Sequence, residues 1–184
     1  MIMNPDLSVD ELKALVRTVP DFPHAGIMFR DITTLIGHPQ GMAASVKHLA
    51  RLADAVGAQK IAGMEARGFI FGAAVAVELG VGFVPVRKPG KLPVDTIGVE
   101  YELEYGTDRL EMDPAAVEPG ERVVIVDDLI ATGGTALAAA RLLRMAGASV
   151  DHALFVIDLP DLHGADKLRA DEIDVEVLMH FEGE

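Results

Sequence analysis

The stretch Val123-Val-Ile-Val-Asp-Asp-Leu-Ile-Ala-Thr-Gly-Gly-Thr135 constrains this chain more than any other. Four consecutive β-branched residues suit a strand buried on both faces, as in a parallel sheet. Asp127 and Asp128 follow at the expected carboxyl end of that strand, and Ala131, Thr132, Gly133, Gly134 and Thr135 then make a small-residue turn into a helical pattern. Glycines let backbone amides converge on one point, threonine hydroxyls add donors, and the dipole of the following helix favours an anion. A phosphate monoester is the expected guest. The neighbouring carboxylates would repel a phosphate but can accept hydrogen bonds from a vicinal diol. Loop and acid pair together therefore describe a ribose 5-phosphate. A helix cap or a plain turn accounts for either half alone, but not for strand, acid pair and glycine loop in this order.

The surrounding pattern alternates. Ser8 to Glu11 fits a capping box, Ser-x-x-Glu, which predicts a helix over about Ser8 to Thr18, ended by Pro20 and Pro23. Val19 to Thr33 is too broken by proline and glycine for a regular element and reads as an ordered, packed loop. Helical spacing recurs from Gln40 to Val56, from Gly68 to Leu79 with Gly80 as its stop, and from Gly134 to Met145 before Gly147. Strand-like runs fall at Lys60 to Met64, Val81 to Val86, Arg122 to Val126, Ser149 to Ile157 and Ile173 to Met179. Thr96 to Met112, with apolar residues around Gly106-Thr107, predicts a hairpin or flap. The expected class is α/β, a mostly parallel twisted sheet flanked by helices, in a single domain over residues 1–184. Ligands of such sheets bind beyond the carboxyl ends of the strands, where helix N-termini face them.

Composition narrows the partners. With 29 acidic against 16 basic residues the formal charge is -13, which opposes binding to nucleic acid or to an anionic membrane surface. The longest apolar stretch, Phe69 to Val86, is interrupted by Gly72, Glu78, Gly80 and Gly82, so it reads as a helix running into a strand and not as a membrane span. Met1 to Glu11 has neither the basic flank nor the apolar run of a secretory signal. The chain has no cysteine, which removes disulfides, thiolate metal sites and cysteine nucleophiles, and a cytoplasmic protein is the simplest expectation. Six histidines show no metal-ligand spacing, and none of the three serines lies in a Gly-x-Ser-x-Gly elbow.

Two more strand-to-helix junctions carry charge. Gly63-Met-Glu-Ala-Arg-Gly68 places Glu65, Ala66 and Arg67 in a short turn, and Arg87, Lys88 and Lys91 form a local cationic patch on an acidic protein. An ordinary surface pair and a solvated basic loop are the alternatives for these two segments.

Over all thirteen residues, Val123 to Thr135 resembles the signature of the type I phosphoribosyltransferases, while the glycine motifs of nucleoside triphosphate and dinucleotide sites are absent. The resemblance implies that Asp127, Asp128 and Ala131 to Thr135 bind ribose and its 5-phosphate. By the same resemblance Glu65, Ala66 and Arg67 hold the pyrophosphate of the donor, often through a cis peptide near the middle of that loop. Arg87, Lys88 and Lys91 would add cations, commonly across a homodimer interface. Phe22-Pro23, Gly26-Ile27, Phe29-Arg30-Asp31 and Leu103-Glu-Tyr-Gly106 are similar to segments of the adenine-using members. That likeness implies a small base-binding hood at about residues 19–35 and a flexible flap at about residues 95–112. In it, adenine would meet Ile27, Met28, Phe29, Arg30 and Leu159, with main-chain groups near Met28 and Arg30 choosing the base. Glu104 would handle a proton at the purine ring and Tyr105 would help close the site. The implied substrates are adenine and phosphoribosyl pyrophosphate, the products AMP and pyrophosphate, and the cofactor Mg²⁺, held mainly by substrate and water. A relative acting on hypoxanthine, guanine or xanthine would share the phosphate loop but not the hood. A nucleic-acid-binding regulator built on the same fold is opposed by the charge.

Overall fold

Val123 to Val126 have no solvent exposure, and alternate members face opposite layers of the molecule. Val123 and Ile125 pack with Leu142, Leu143, Phe155 and Leu168, whereas Val124 and Val126 pack with Leu49, Phe71, Val75 and Leu154. This period of two explains why the strand must be apolar at every position: helices cover both of its faces. A computed structural model describes residues 7–102 and 106–183. Its main sheet is five-stranded and parallel, in the order β4-β3-β7-β8-β9. The strands are β3 (Lys60–Met64), β4 (Gly82–Val86), β7 (Val123–Ile130), β8 (His152–Asp158) and β9 (Asp174–His180). On one face lie α3 (Pro39–Ala55) and α4 (Arg67–Leu79), and on the other α5 (Gly134–Met145) and α6 (Gly164–Arg169). The expected mostly parallel, helix-flanked sheet is therefore present. Gly80 closes α4 in the left-handed conformation, at φ 69°, as its position after the periodic run implied.

One expectation is corrected at the centre of the sheet. β7 does not stop before the acid pair but continues to Ile130, because its ladder with β8 extends from Ile125↔Ala153 to Ile130↔Asp158. Its ladder with β3, by contrast, ends at Ala62↔Ile125. The two carboxylates thus sit within the strand, in the part from which β3 has already departed.

The N-terminal region differs more. Ser8 caps α1 (Val9–Leu15) with a complete capping box, its hydroxyl accepting from the Glu11 amide and its own amide donating to the Glu11 carboxylate at 2.8 Å. The helix ends before Thr18 because the chain turns extended: β1 (Arg17–Pro20) pairs antiparallel with β2 (Met28–Asp31), followed by the single turn α2 (Thr33–Ile36). The packed loop expected over Val19 to Thr33 is thus in part a two-stranded ribbon. Pro20 is tolerated because it lies at the last position of a strand with only one neighbour. The pairing is between distant residues, so local periodicity gave no sign of it.

The flap is a hairpin, β5 (Ile97–Glu102) against β6 (Thr107–Met112), in register from Ile97↔Met112 to Glu102↔Thr107. Leu110 and Met112 enter the core on the α5 side, anchoring its base. Glu104 and Tyr105, the residues expected to handle the proton and to close the site, lie outside the described residues.

Asp31 ties the end of the β1–β2 ribbon to the turn that follows it. It is buried, accepts from the Thr33 amide and the Thr33 hydroxyl at 2.9 Å each, and accepts from Arg17 Nε at 3.0 Å. The Thr33 amide, followed by Arg17 and the Thr33 hydroxyl, draws its carboxyl down to about 2 from an ordinary 3.8. A carboxyl depressed in the folded state stabilises the fold above its unfolded value and loses that contribution as the pH falls towards the folded one. The stability difference between the wild type and Asp31→Asn, measured by urea unfolding, should therefore be largest near about pH 6 and shrink progressively below about pH 4. A difference that is flat with pH would show that the charge on Asp31 contributes nothing.

Candidate active site

Where β3 and β7 part, the loops after β3, β4 and β7 surround a cavity of about 480 Å³. Its wall includes Glu65, Ala66, Arg67, Lys88, Asp127, Asp128 and the whole turn Ala131 to Thr135. All seven ribose and 5-phosphate candidates are thus brought together, with four of the six pyrophosphate candidates beside them.

The turn is shaped by close backbone approach. Gly133 has φ 75°, and a Cβ there would stand 2.7 Å from the Gly164 carbonyl oxygen, so only glycine satisfies both the conformation and the space. Gly134 opens α5, whose first amides and dipole point into the cavity. A second close approach was not apparent in the sequence. Gly68, at the start of α4, leaves room for the Asp127 carboxylate, since a Cβ there would meet Asp127 Oδ1 at 2.6 Å.

Cations at and beside the cavity are already paired with carboxylates. Arg67 Nε lies 2.6 Å from Asp128 Oδ2, and Arg87 donates to Glu65 Oε2 from Nε at 2.8 Å. The Lys88 amide donates to Glu65 Oε1 at 2.8 Å, and the Lys88 ammonium pairs with Asp108. Burial pushes the Glu65 carboxyl up, but the Lys88 amide and Arg87 outweigh it and hold it below the usual range. Asp127 goes the other way: burial raises its carboxyl and the adjacent Asp128 raises it further. Arg67 forms its ion pair with Asp128 and acts on Asp127 only through its charge, which burial and Asp128 outweigh. Lys91 is exposed, and its carbonyl accepts from Arg87 Nη1 at 3.0 Å. The Glu65-Ala66 peptide in this loop is cis.

A second, more apolar cavity of about 360 Å³ lies under the hood. Phe22 and Phe29, in edge-to-face contact at 5.1 Å, line it with Val19, Arg30, Ile32 and Thr33. Arg67 lines both cavities. Of the five base-binding candidates, Phe29 and Arg30 lie on this wall, while Ile27 and Met28 are exposed beside it. Leu159 is partly buried against the core, its amide donating to the Ile130 carbonyl at 3.1 Å. The Arg30 guanidinium is engaged elsewhere, donating to Thr18 Oγ1 and to the Glu182 carbonyl at 2.7 Å each. Phe22 and Asp31 belong to the hood motif, and their place in the wall and the anchor follows from the β1–β2 ribbon.

Among the described residues there is no cluster of three or more acidic, histidine or cysteine side chains able to hold a metal. None of the described helices is long and apolar enough to cross a membrane. The arrangement suits a molecule with anionic groups at two ends and a diol between them, next to a flat apolar partner.

Comparison with known proteins agrees with this geometry. The model of the phosphoribosyl transferase domain matches residues 39–182. The adenine phosphoribosyltransferase of Novosphingobium aromaticivorans is 71% identical over 177 residues, covering 96% of this chain and 99% of that protein. The crystal structure of the adenine phosphoribosyltransferase from Thermoanaerobacter pseudethanolicus superposes with a TM-score of 0.90 at 49% identity, covering 95% of this chain and 100% of the other. That of the Saccharomyces cerevisiae enzyme, complexed with an imino-altritol bisphosphate and adenine, gives 0.86 at 40% identity, with 93% and 98% covered. A chain so matched along nearly its whole length, with the glycine turn, acid pair and hood in place, belongs to the phosphoribosyl transferase family and, within it, to the adenine phosphoribosyltransferases.

Proposed function

We propose that the two cavities are the halves of one active site, phosphoribosyl pyrophosphate occupying the larger and adenine the smaller. The transfer of the phosphoribosyl group to adenine gives AMP and pyrophosphate, a purine salvage reaction. The observation that carries the division of roles is Arg67, which lines both cavities and so supports a junction there between donor and base.

In this reading the Ala131 to Thr135 turn seats the 5-phosphate, and Asp127 and Asp128 accept from the ribose hydroxyls. Arg67, with Glu65 and Ala66, Arg87, Lys88 and Lys91 around it, receives the pyrophosphate. Substitution at an anomeric carbon develops cationic character on the sugar, so holding the leaving group and placing carboxylates near the ring are the main demands on the protein. Asp127 and Asp128, which both line the larger cavity, are the candidates for the second. Glu104 would manage the purine proton and Tyr105 would complete closure, excluding water from the intermediate.

The oxygen-rich cavity fits Mg²⁺. Glu65 and Asp128 are each engaged by arginine, which leaves substrate oxygens and water as its main ligands. Bound there, the ion would offset negative charge on the departing pyrophosphate. Base choice is assigned to backbone groups of β2 near Met28 and Arg30. β2 pairs only with β1, so alternate backbone groups on its other edge are unpaired by the ribbon. Support for a homodimer comes from α4, where Ile70 and Val77, seven residues apart on its outer face, are exposed at 39% and 81%. The absence of cysteine accords with a cytoplasmic setting.

Adenine presents an acceptor at N1 and a donor amine at C6, and hypoxanthine reverses both. A fixed amide and carbonyl built for the first would leave buried groups unpaired with the second, a discrimination on the order of 10⁴-fold. Turnover of adenine, hypoxanthine and guanine at equal concentration checks this; comparable rates for the first two would overturn the base assignment. Gly68→Ala should displace the Asp127 carboxylate and raise KM for the ribosyl donor by about tenfold or more, with KM for adenine little changed. Equal rises for both substrates would indicate a general disturbance of α4. Glu104→Gln should lower turnover by about 10²-fold at unchanged melting temperature, and a loss of less than about threefold would leave proton transfer to solvent.

A further inference from the structure

Tyr101 and Asp108 face each other across the β5–β6 hairpin, so their side chains leave the same face of it. That face meets the wall of the larger cavity. The Lys88 ammonium donates to the Tyr101 hydroxyl oxygen at 3.0 Å and to the Asp108 carboxylate, and Lys88 itself lines the cavity. The Tyr101 hydroxyl donates to Asp108 Oδ2 at 3.2 Å and lies 3.5 Å from Thr135 Oγ1, the last residue of the phosphate turn. One oxygen therefore touches the stem of the flap, the loop after β4 and the turn after β7. The backbone contact is equally close: a Cβ at Gly134 would stand 3.4 Å from the Glu102 carbonyl oxygen and 3.9 Å from Tyr101 Cδ2.

Lysine is a point charge on a long flexible stem, and without fixed acceptors its ammonium would spread over several rotamers. An ammonium has three donors. Of the described residues, only Tyr101 and Asp108 accept from the Lys88 ammonium, which leaves one of its N–H groups for an oxygen of the ligand. The hydrogen bonds to Asp108 and Tyr101 outweigh the effect of burial and keep Lys88 charged.

We propose that Tyr101 is a positioning residue of the transfer reaction. Its hydroxyl, with Asp108, fixes the Lys88 ammonium at the cavity edge where the donor's pyrophosphate lies, and registers it against the phosphate turn through Thr135. This rests on the reading of the larger cavity as the donor site. It gives the stem of the flap a role in donor binding that is separate from closure by its tip.

The test compares wild type, Tyr101→Phe, Lys88→Met and the double variant for kcat and for KM of phosphoribosyl pyrophosphate and of adenine, with Mg²⁺ present. Tyr101→Phe keeps the ring and loses only the hydroxyl. It should raise the donor KM about tenfold while leaving the adenine KM within about twofold. In the Lys88→Met background the same change should add less than about twofold, because it acts through the amine. An unchanged donor KM, equal rises in both KM values, an undiminished effect without Lys88, or a Tyr101→Phe protein that does not fold would each overturn the positioning role. Wild-type turnover separates the two readings. If the wild type consumes adenine with the donor and Tyr101→Phe matches it, the functional reading stands and this role falls. If the wild type shows no turnover, the donor-site reading fails and takes the proposal with it.

Discussion

The site depends on a single asymmetry of the sheet: β7 leaves β3 after Ile125 but stays with β8 as far as Ile130. A parallel sheet is sealed where its strands run together, and a cleft appears where two neighbours diverge. Here the divergence begins two residues before Asp127. The acid pair is consequently held by a ladder on one side and opens onto the cleft on the other. The rigidity needed to aim a carboxylate and the access needed to use it come from the same departure. The rest of the machinery hangs from loops that leave β3, β4 and β7 at this point.

Burial of the strand supplies the fixed frame. Alternating residues of β7 are inaccessible on both faces, wedged between α3 and α4 on one side and α5 on the other. Such a core tolerates little displacement, so the loop that follows inherits a defined starting point. Two glycines convert that frame into a binding shape. Gly133 admits the backbone of Gly164 behind the turn after β7, and Gly68 admits the Asp127 carboxylate beside α4. In both places a side chain would displace the groups that define the cavity.

Most of this frame was legible in the sequence, because it rests on local signals. Lys60 to Met64 and Gly134 to Met145 are continuous or periodic apolar runs, and their observed limits are those of the pattern. Ser8 and Glu11 announced the start of α1 through a capping box. What local signals cannot carry is pairing between distant segments. The β1–β2 ribbon joins Thr18 to Arg30, and the extension of β7 depends on β8, so local pattern alone implies a loop for the first and too short a strand for the second. The Phe29 and Arg30 positions were legible only through resemblance, and the Tyr101–Asp108 pair only through the register of the hairpin. The six-residue α6 is too short to show a period, yet its Gly164 supports the phosphate turn.

A chain with formal charge -13 must still attract a highly anionic donor, and the distribution of its cations shows how the two are reconciled. Arg67, Arg87 and Lys88 do not stand as an open positive patch: each is paired, with Asp128, Glu65 and Asp108 respectively. Isolated cations in a partly buried cleft would repel one another and lose hydration, whereas paired ones hold their orientation before a ligand arrives. The cost is that an anionic ligand must compete with these carboxylates for the same donors. Arginine and lysine meet this differently. A guanidinium carries five donors in a fixed fork, so Arg67 and Arg87 can keep a carboxylate and still offer N–H groups to phosphate. Lys88 has only three donors and relies on Tyr101 and Asp108 to aim the one that remains. An acidic surface with internally balanced cations in its cleft thus favours a small ligand that reaches those donors from within over a large polyanion that meets only the exterior.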